Sequence, residues 1–441
     1  MKRCFFLLRG VLTLLVLGML VTSAWASDAL MDRMADFDPS NPVVPKGDTI
    51  KIGHLNPFSG PAAMNGELYH IALHWVAHDL NKQGGVMVDG KLKKIEIIKG
   101  DTMSKPINAK KAAERLILGD KVDLLWGSTG SHISLVCQQT AAKYKKIYVS
   151  ALSISDSLMD AENFNRYTFH TPWTTSQAAK SLAYFYAKRP EKKFYILCQD
   201  YSFGHALAEK FKGYLKEFRP DAEIVGEDYH PLFTKDFAPY LEKIKASGAE
   251  VIFSGDWMPD SVNLLKQSRD SGLNLPFANM YMDDPITLGV VGVEGSAGLV
   301  NANQYMINDM DPRTRELNKV WNHLHDSKWE EPYNSSLYVW PLGVVASAIN
   351  TTYWMMDVVE RAGSTDPEKI IATWEGDKYN SFAGVLEMRA CDHVTVRDTY
   401  VSEFSHPAKW FDNFSYIDKI VTVPSYVVEP PLPEGLDRCK K

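Results

Sequence analysis

Cysteine is scarce, with five residues in a chain of 441. A disulfide-built scaffold needs a far denser set, so packing rather than cross-linking must hold this chain together. Basic side chains are not in surplus: 48 Lys and Arg stand against 54 Asp and Glu, for a formal charge of −6. That balance argues against an electrostatic nucleic-acid binder, which needs a basic surface. Beyond residue 30 no apolar run is long enough to span a bilayer. The 28 Gly and 23 Pro are too few for a collagen-like or low-complexity chain. No GxGxxG follows a predicted strand, and GxxxxGKS/T, HExxH and GxSxG do not occur. These absences weigh against a nucleotide-dependent enzyme, a metalloprotease and an α/β-hydrolase. A secreted hydrolase using a Ser with His132 or His54 has no recognisable base–nucleophile pattern behind it.

What is present begins with a leader. Lys2, Arg3 and Arg9 precede an apolar stretch from Val11 to Val21, and Ala24-Trp25-Ala26 fits a small-x-small cleavage site. This predicts a signal peptide (1–26) cleaved after Ala26 and an exported mature chain; an uncleaved anchor is the alternative. Residues 27–47 read as a polar leader without strong period. Export permits disulfides. Cys391 and Cys439 are the candidate pair, because their union would pin a Pro-rich terminus, although connectivity does not follow from sequence. Cys137 and Cys198 fall in a predicted helix and an apolar strand, as buried small hydrophobes do. No close pair of cysteines offers zinc-ligand spacing, and neither metal nor cofactor is expected.

From Ile50 onward, strands and helices alternate. Apolar strands at 50–55, 95–98, 122–126 and 147–149 are separated by helical periods, and the alternation restarts after Pro172. Strand–helix–strand units of this length mean parallel sheets with right-handed crossovers, so an α/β class with two lobes and a break near 170 is predicted. Residues 311–375 read as mostly helical. His70, His74 and His78 recur at i, i+4 and i+8, largely opposite Leu68, Ala72 and Trp75. Two such histidines can share a metal ion, but a solvated helix face is the expected reading.

In open parallel sheets, ligands bind at the carboxyl ends of the strands. Three loops there are rich in hydroxyls and lead towards helices: Asn56–Pro61, Gly127–His132 and Ser150–Ser155. Helix N-termini with backbone N–H groups suit a carboxylate, although Ser and Gly also simply cap helices. The second lobe offers Asp200–Gly204, Gly255–Pro259 and Tyr281–Asp284, with acids and aromatic faces that suit an ammonium. The alternative is that Trp257 and Tyr281 are packing residues, with Asp256 and Asp284 as helix caps.

Gly53-His54-Leu55, then Ser59-Gly60-Pro61-Ala62 with Gly66, and Asn81–Val86 resemble the opening of the leucine/isoleucine/valine-binding family of periplasmic solute receptors. Asp101, Ala112-Ala113, Gly127-Ser128, Tyr201–Gly204, Leu265–Ser268 with Gly272-Leu273, and Phe382-Ala383-Gly384 continue the resemblance over about 48 to 400. It implies a type I periplasmic binding protein fold, with two Rossmann-like lobes on a three-strand hinge. Lobe I would take 48–170 and 301–384, lobe II 171–300 and 385–411, and 412–441 would be a C-terminal extension. It further implies a monomeric, non-enzymatic receptor that delivers a branched-chain amino acid to an ABC permease in the inner membrane. A small aromatic or other organic carboxylate, or a sensing role without transport, is the alternative. By position, Ser128 and Ser131 would meet the ligand carboxylate, with Ser150, Ser153 and Ser155 beside it. Phe203, Trp257, Met258, Tyr281 and Asp283 would close from lobe II, with Tyr281 and Asp283 both placed to hold an ammonium. Phe203 stands where the family often has Tyr before Gly, and Asn65 where an aromatic is common.

Overall fold

A computed structural model describes residues 27–305, 312–335, 338, 343–407 and 415–440, so the expected signal peptide lies outside the described residues. Lobe I opens with α1 (Ser27–Met34), β1 (Ile50–Asn56), α2 (Ala63–Lys82), β2 (Val86–Val88), β3 (Lys91–Lys93) and β4 (Ile95–Asp101). It continues through α3 (Pro106–Glu114), β5 (Leu124–Gly127), α4 (Ser131–Lys143), β6 (Ile147–Ser150) and β7 (Thr168–His170). The five-stranded sheet runs β4-β1-β5-β6-β7, and every pair in it is parallel.

Lobe II repeats the pattern: α5 (Thr175–Tyr186), β8 (Lys193–Gln199), α6 (Ser202–Phe218), β9 (Glu223–His230) and α7 (Ala238–Ser247) come first. Then follow β10 (Val251–Phe253), α8 (Asp260–Asp270), β11 (Phe277–Asn279), α9 (Pro285–Ser296) and β12 (Leu299–Asn303). The chain returns to lobe I for α10 (Pro312–Ser327), α11 (Gly343–Ala362), α12 (Pro367–Trp374), β13 (Lys378–Ser381), β14 (Gly384–Met388) and β15 (Thr395–Val396). It ends in lobe II with β16 (Thr399–Pro407), β17 (Ser415–Val423) and α13 (Ser425–Val428). The second sheet is β17-β16-β12-β11-β10-β8-β9, parallel except where β16 and β17 join antiparallel.

Three segments cross between the lobes, and they meet at Gln304. Its Oε1 accepts from the Trp173 backbone N–H at 2.8 Å and from the buried Arg397 guanidinium at 3.3 Å, while Arg397 also donates to the Gln304 carbonyl. Burial lowers the Arg397 pKa to about 10. One polar knot thus ties all three crossovers.

Four boundaries differ from the sequence expectation. Leu386 and Met388 lie in the core of lobe I with Ile349 and Trp354, so the last crossover falls near 397 rather than 385. Residues 301–303 complete β12 in lobe II. β17 falls inside the expected extension but pairs with β16, because the pairing partner is what makes it a strand. The leader carries α1, whose Leu30 and Met34, with Phe37 beyond it, pack into the lobe I core; the Phe37 ring lies 5.4 Å from Trp75. Cys391 and Cys439 are joined, and Cys137 and Cys198 are free and buried. No helix among the described residues is long and apolar enough to cross a membrane.

Candidate functional site

The carboxyl ends of both sheets face one another across a cleft holding about 730 Å³ of space, its open mouth included. Ligand pockets for small molecules are of this order. Lobe I supplies the start of α4. Ser131 opens the helix after Gly130, and no side chain caps it. The N–H groups of Ile133 and Ser134 both turn back to the Gly130 carbonyl, leaving the first N–H groups of the helix directed outwards at its positive end. Thr129, Gly130, Ser131, Leu152, Ser153 and Ile154 line the pocket here, with Asn65, Leu68 and Tyr69 from α2.

Lobe II contributes the strand-end loops after β8, β10 and β11. Trp257 Nε1–H donates to the Tyr201 hydroxyl at 2.9 Å, which fixes the indole across the cleft wall. Met258 reaches the core of lobe I. Tyr281 is held by its N–H to Asn279 Oδ1 at 3.2 Å. Two adjacent acids then behave differently. Asp284 caps α9, accepting from the Thr287 N–H at 2.8 Å and from its hydroxyl. Asp283 accepts from Asn303 Nδ2 at 2.7 Å, and both acids border the pocket. Desolvation raises Asp283 to about 7, against the lowering effect of Asn303, with Asp284 adding repulsion. Asp284 rises to about 6 for the same first reason.

Of the expected ligand residues, Ser131, Ser153, Phe203, Trp257, Met258, Tyr281 and Asp283 lie on the pocket wall. Ser128, Ser150 and Ser155 do not. Ser128 is fully buried with its carbonyl accepting from the Ser153 hydroxyl, and its own hydroxyl reaches only the Thr129 carbonyl at 3.4 Å. Ser150 points to the far side of its strand and bonds Ser134 at 3.0 Å. Ser155 lies next to Ser157, at 2.8 Å, towards the hinge. Tyr69, Leu68 and Val344 line the pocket without having been singled out. Leu68 and Tyr69 sit on a helix whose apolar period reads as ordinary core, and that is why they escape notice.

The histidines of α2 do not form a solvated face. His74 is buried and its Nε2 lies 3.1 Å from His70 Nε2; His70 Nδ1 in turn lies 3.2 Å from Nδ1 of the buried His54. Asp256, expected as a possible helix cap, is instead buried against His230 at 2.8 Å.

A cleft held between two lobes by three crossing segments is the architecture of a protein that closes on a small solute. The chain belongs to the periplasmic binding protein family, whose model matches residues 49–408. It is similar to Leu/Ile/Val-binding protein homolog 7 of Brucella abortus (strain 2308), at 26% identity over 234 residues, 51% of this chain and 57% of that protein. The match therefore spans little more than half of that relative's length. Among solved structures it resembles the leucine-, isoleucine-, valine-, threonine- and alanine-binding protein of Brucella ovis in its closed conformation. The TM-score is 0.74 at 20% identity, over 88% of this chain and 98% of that one. It also resembles an ABC-transporter solute-binding protein of Rhodopseudomonas palustris BisB5 in complex with 3,4-dihydroxybenzoic acid. There the TM-score is 0.72 at 21% identity, over 86% and 98% of the two chains. At these identities the structural likenesses establish the fold alone.

Proposed function

We propose that this chain is the exported, periplasmic solute-binding component of an ABC importer, that it acts as a monomer, and that it delivers a zwitterionic amino acid of branched-chain type to a membrane permease. The observation that carries the choice of ligand is Asp283 on the pocket wall, in a lining that among the described residues includes no Lys or Arg. An ammonium gains a half-buried carboxylate there, and the ligand carboxylate has the uncapped start of α4 with Ser131 to receive it. A monoanion would have no cation to meet it. The rings of Tyr69, Tyr201, Phe203, Trp257 and Tyr281 favour a second reading, a small aromatic carboxylate.

A thermal-shift panel on residues 27–441 separates the two, using leucine, isoleucine, valine, other amino acids, short amides and aromatic carboxylates. Ligand at about a hundredfold its dissociation constant adds roughly 2.7 kcal/mol, visible as a higher melting temperature. The pH dependence gives a second discriminator. An ammonium needs the Asp283 carboxylate, so amino-acid affinity should fall as pH drops through about 7. An aromatic carboxylate prefers the protonated acid, so its affinity should rise over the same interval. A shift only with aromatic acids, strengthening in acid, overturns the amino-acid reading.

A further inference from the structure

We infer that Asn56, His54, His70 and His74 form a directional hydrogen-bonded chain that positions the ligand loop after β5, and that a proton taken up at its His74 end loosens that loop and weakens solute binding in acid. The inference rests on the solute-binding reading of the cleft. Its geometry begins at Thr129, a pocket residue, whose backbone N–H donates to Asn56 Oδ1 at 2.9 Å. That contact fixes the amide, since only the oxygen can accept. Asn56 Nδ2 must then donate to His54 Nε2, 3.2 Å away. His54 therefore carries its proton on Nδ1 and donates it to His70 Nδ1 at 3.2 Å. His70 carries its proton on Nε2 and donates it to His74 Nε2 at 3.1 Å. Every tautomer follows from the first bond.

A proton added to His74 Nε2 opposes the Nε2–H of His70. Relief requires His70 to move its proton to Nδ1 and His54 to move its proton to Nε2. Asn56 must then turn its amide over, which breaks the bond to Thr129. Desolvation holds all three histidines neutral, His74 least strongly, at about 4, so His74 is the entry point for the proton. The charged group facing all three is Lys99 on β4, which opposes their protonation and is itself paired with Glu67 at 2.9 Å. Tyr333 and Tyr338 face Glu67, and the rings of Phe58 and Trp126 pack on His54 at 5.0 and 5.1 Å. A metal bound by both Nε2 atoms of His70 and His74 would need His70 in the reversed tautomer, which the Thr129 bond disfavours.

The test uses ligand-free mature protein. Histidine-selective ¹⁵N NMR at pH 7.5 should find His54 and His74 protonated on Nδ1 and His70 on Nε2; any other assignment overturns the chain, and this measurement needs no variant. The Thr129 amide signal, assigned with T129S, should move between pH 7.5 and 4 in the wild type and stay in place in His74→Gln, which keeps an acceptor but cannot take the proton. Identical movement in both proteins overturns the coupling. For whichever panel compound binds, affinity should weaken about tenfold more on acidification in the wild type than in H74Q, the scale of one lost hydrogen bond. Asp283 titrates in both proteins, so it cancels from that difference. A melting temperature raised by Zn²⁺ and restored by EDTA would assign the histidines to a metal and overturn the proposal. A cleft that binds no panel compound counts against the solute-binding reading alone, because the tautomer and Thr129 measurements involve no ligand.

Discussion

Behind the cleft, the two lobes bury histidine in opposite states. In lobe I, His54, His70 and His74 bond to one another and to Asn56, and desolvation keeps them neutral. In lobe II, His230 Nδ1 lies 3.0 Å from the Pro231 carbonyl, which can only accept, and Nε2 lies 2.8 Å from Asp256 Oδ2. Both ring nitrogens therefore face acceptors, and Asp256 raises the His230 pKa despite burial, while burial in turn raises Asp256 against the lowering effect of His230. Each device lies one step behind a ligand loop: Asn56 holds Thr129, and Asp256 immediately precedes Trp257. Both strand-end loops are thus fastened through a buried histidine, bonded to neutral groups in lobe I and to a carboxylate in lobe II.

The comparison predicts its largest effect in lobe II. Asp256→Ala leaves a buried imidazole with a proton and no carboxylate, and should cost about 3–5 kcal/mol in urea unfolding. The double variant His230→Phe/Asp256→Leu should regain much of that loss. If D256A unfolds within about 1 kcal/mol of wild type, no ion pair exists there.

Next comes the pH dependence of stability, where the lobes should pull in opposite directions. The lobe I histidines have lowered pKa values, so the unfolded chain binds more protons than the folded one below 6.5. Their stabilisation is complete above 6.5 and lost as pH falls towards the folded values; the fall from 6.5 to about 4 at His74 alone corresponds to about 3 kcal/mol. His230 has a raised pKa, so its stabilisation is complete below 6.5 and is lost as pH rises through the folded value. Melting temperatures across pH 4–9 should show a flatter acid limb in H74Q and a flatter alkaline limb in His230→Gln. An acid limb unchanged in H74Q would remove the histidine chain as its cause.

These pairings mark the limit of what the residues reveal by themselves. The strand–helix alternation and the strand-end loops are legible because they are local periods of two and 3.6 residues. His54 and His70 come from different elements, and nothing local announces that β1 will carry one against the other. Helical spacing alone left His74 on a water-facing side. β17 has the same cause: short β-like stretches after about 412 are legible, but nothing local says that they pair with β16 in the lobe II sheet. Among the serines, the parity of one short strand turned Ser150 away from the cleft, and an error of one residue in a strand inverts its facing.

At the ligand, Asp283→Asn tests lobe II's contribution against lobe I's. Removing the charge while keeping the shape should cost an amino acid about 1.5–3 kcal/mol of binding, the worth of a hydrogen bond to a charged group. Isothermal titration should show the loss for amino acids and not for aromatic carboxylates. Equal loss for both would mean that Asp283 shapes the pocket without meeting an ammonium.

The smallest effect sharpens the comparison most, because here the lobes share one device. A Cβ at Gly66 would lie 1.9 Å from the Pro57 carbonyl, and one at Gly204 would lie 1.9 Å from the Gln199 carbonyl. Both glycines let a helix start pack directly on the strand-end turn that feeds the cleft. Gly66→Ala and Gly204→Ala should each cost about 1–3 kcal/mol, since backbone must move to admit the methyl. Their side effects should differ. The Gly66 site also touches Phe58 at 3.1 Å, and that ring packs on His54 and His70 with centroids 5.0 and 5.7 Å apart. G66A should therefore shift the ¹⁵N signals of both histidines, while G204A, beside Phe203 in the other lobe, should leave them in place. Equal shifts in the two variants would show that the histidine chain senses global stability rather than the geometry of its own lobe.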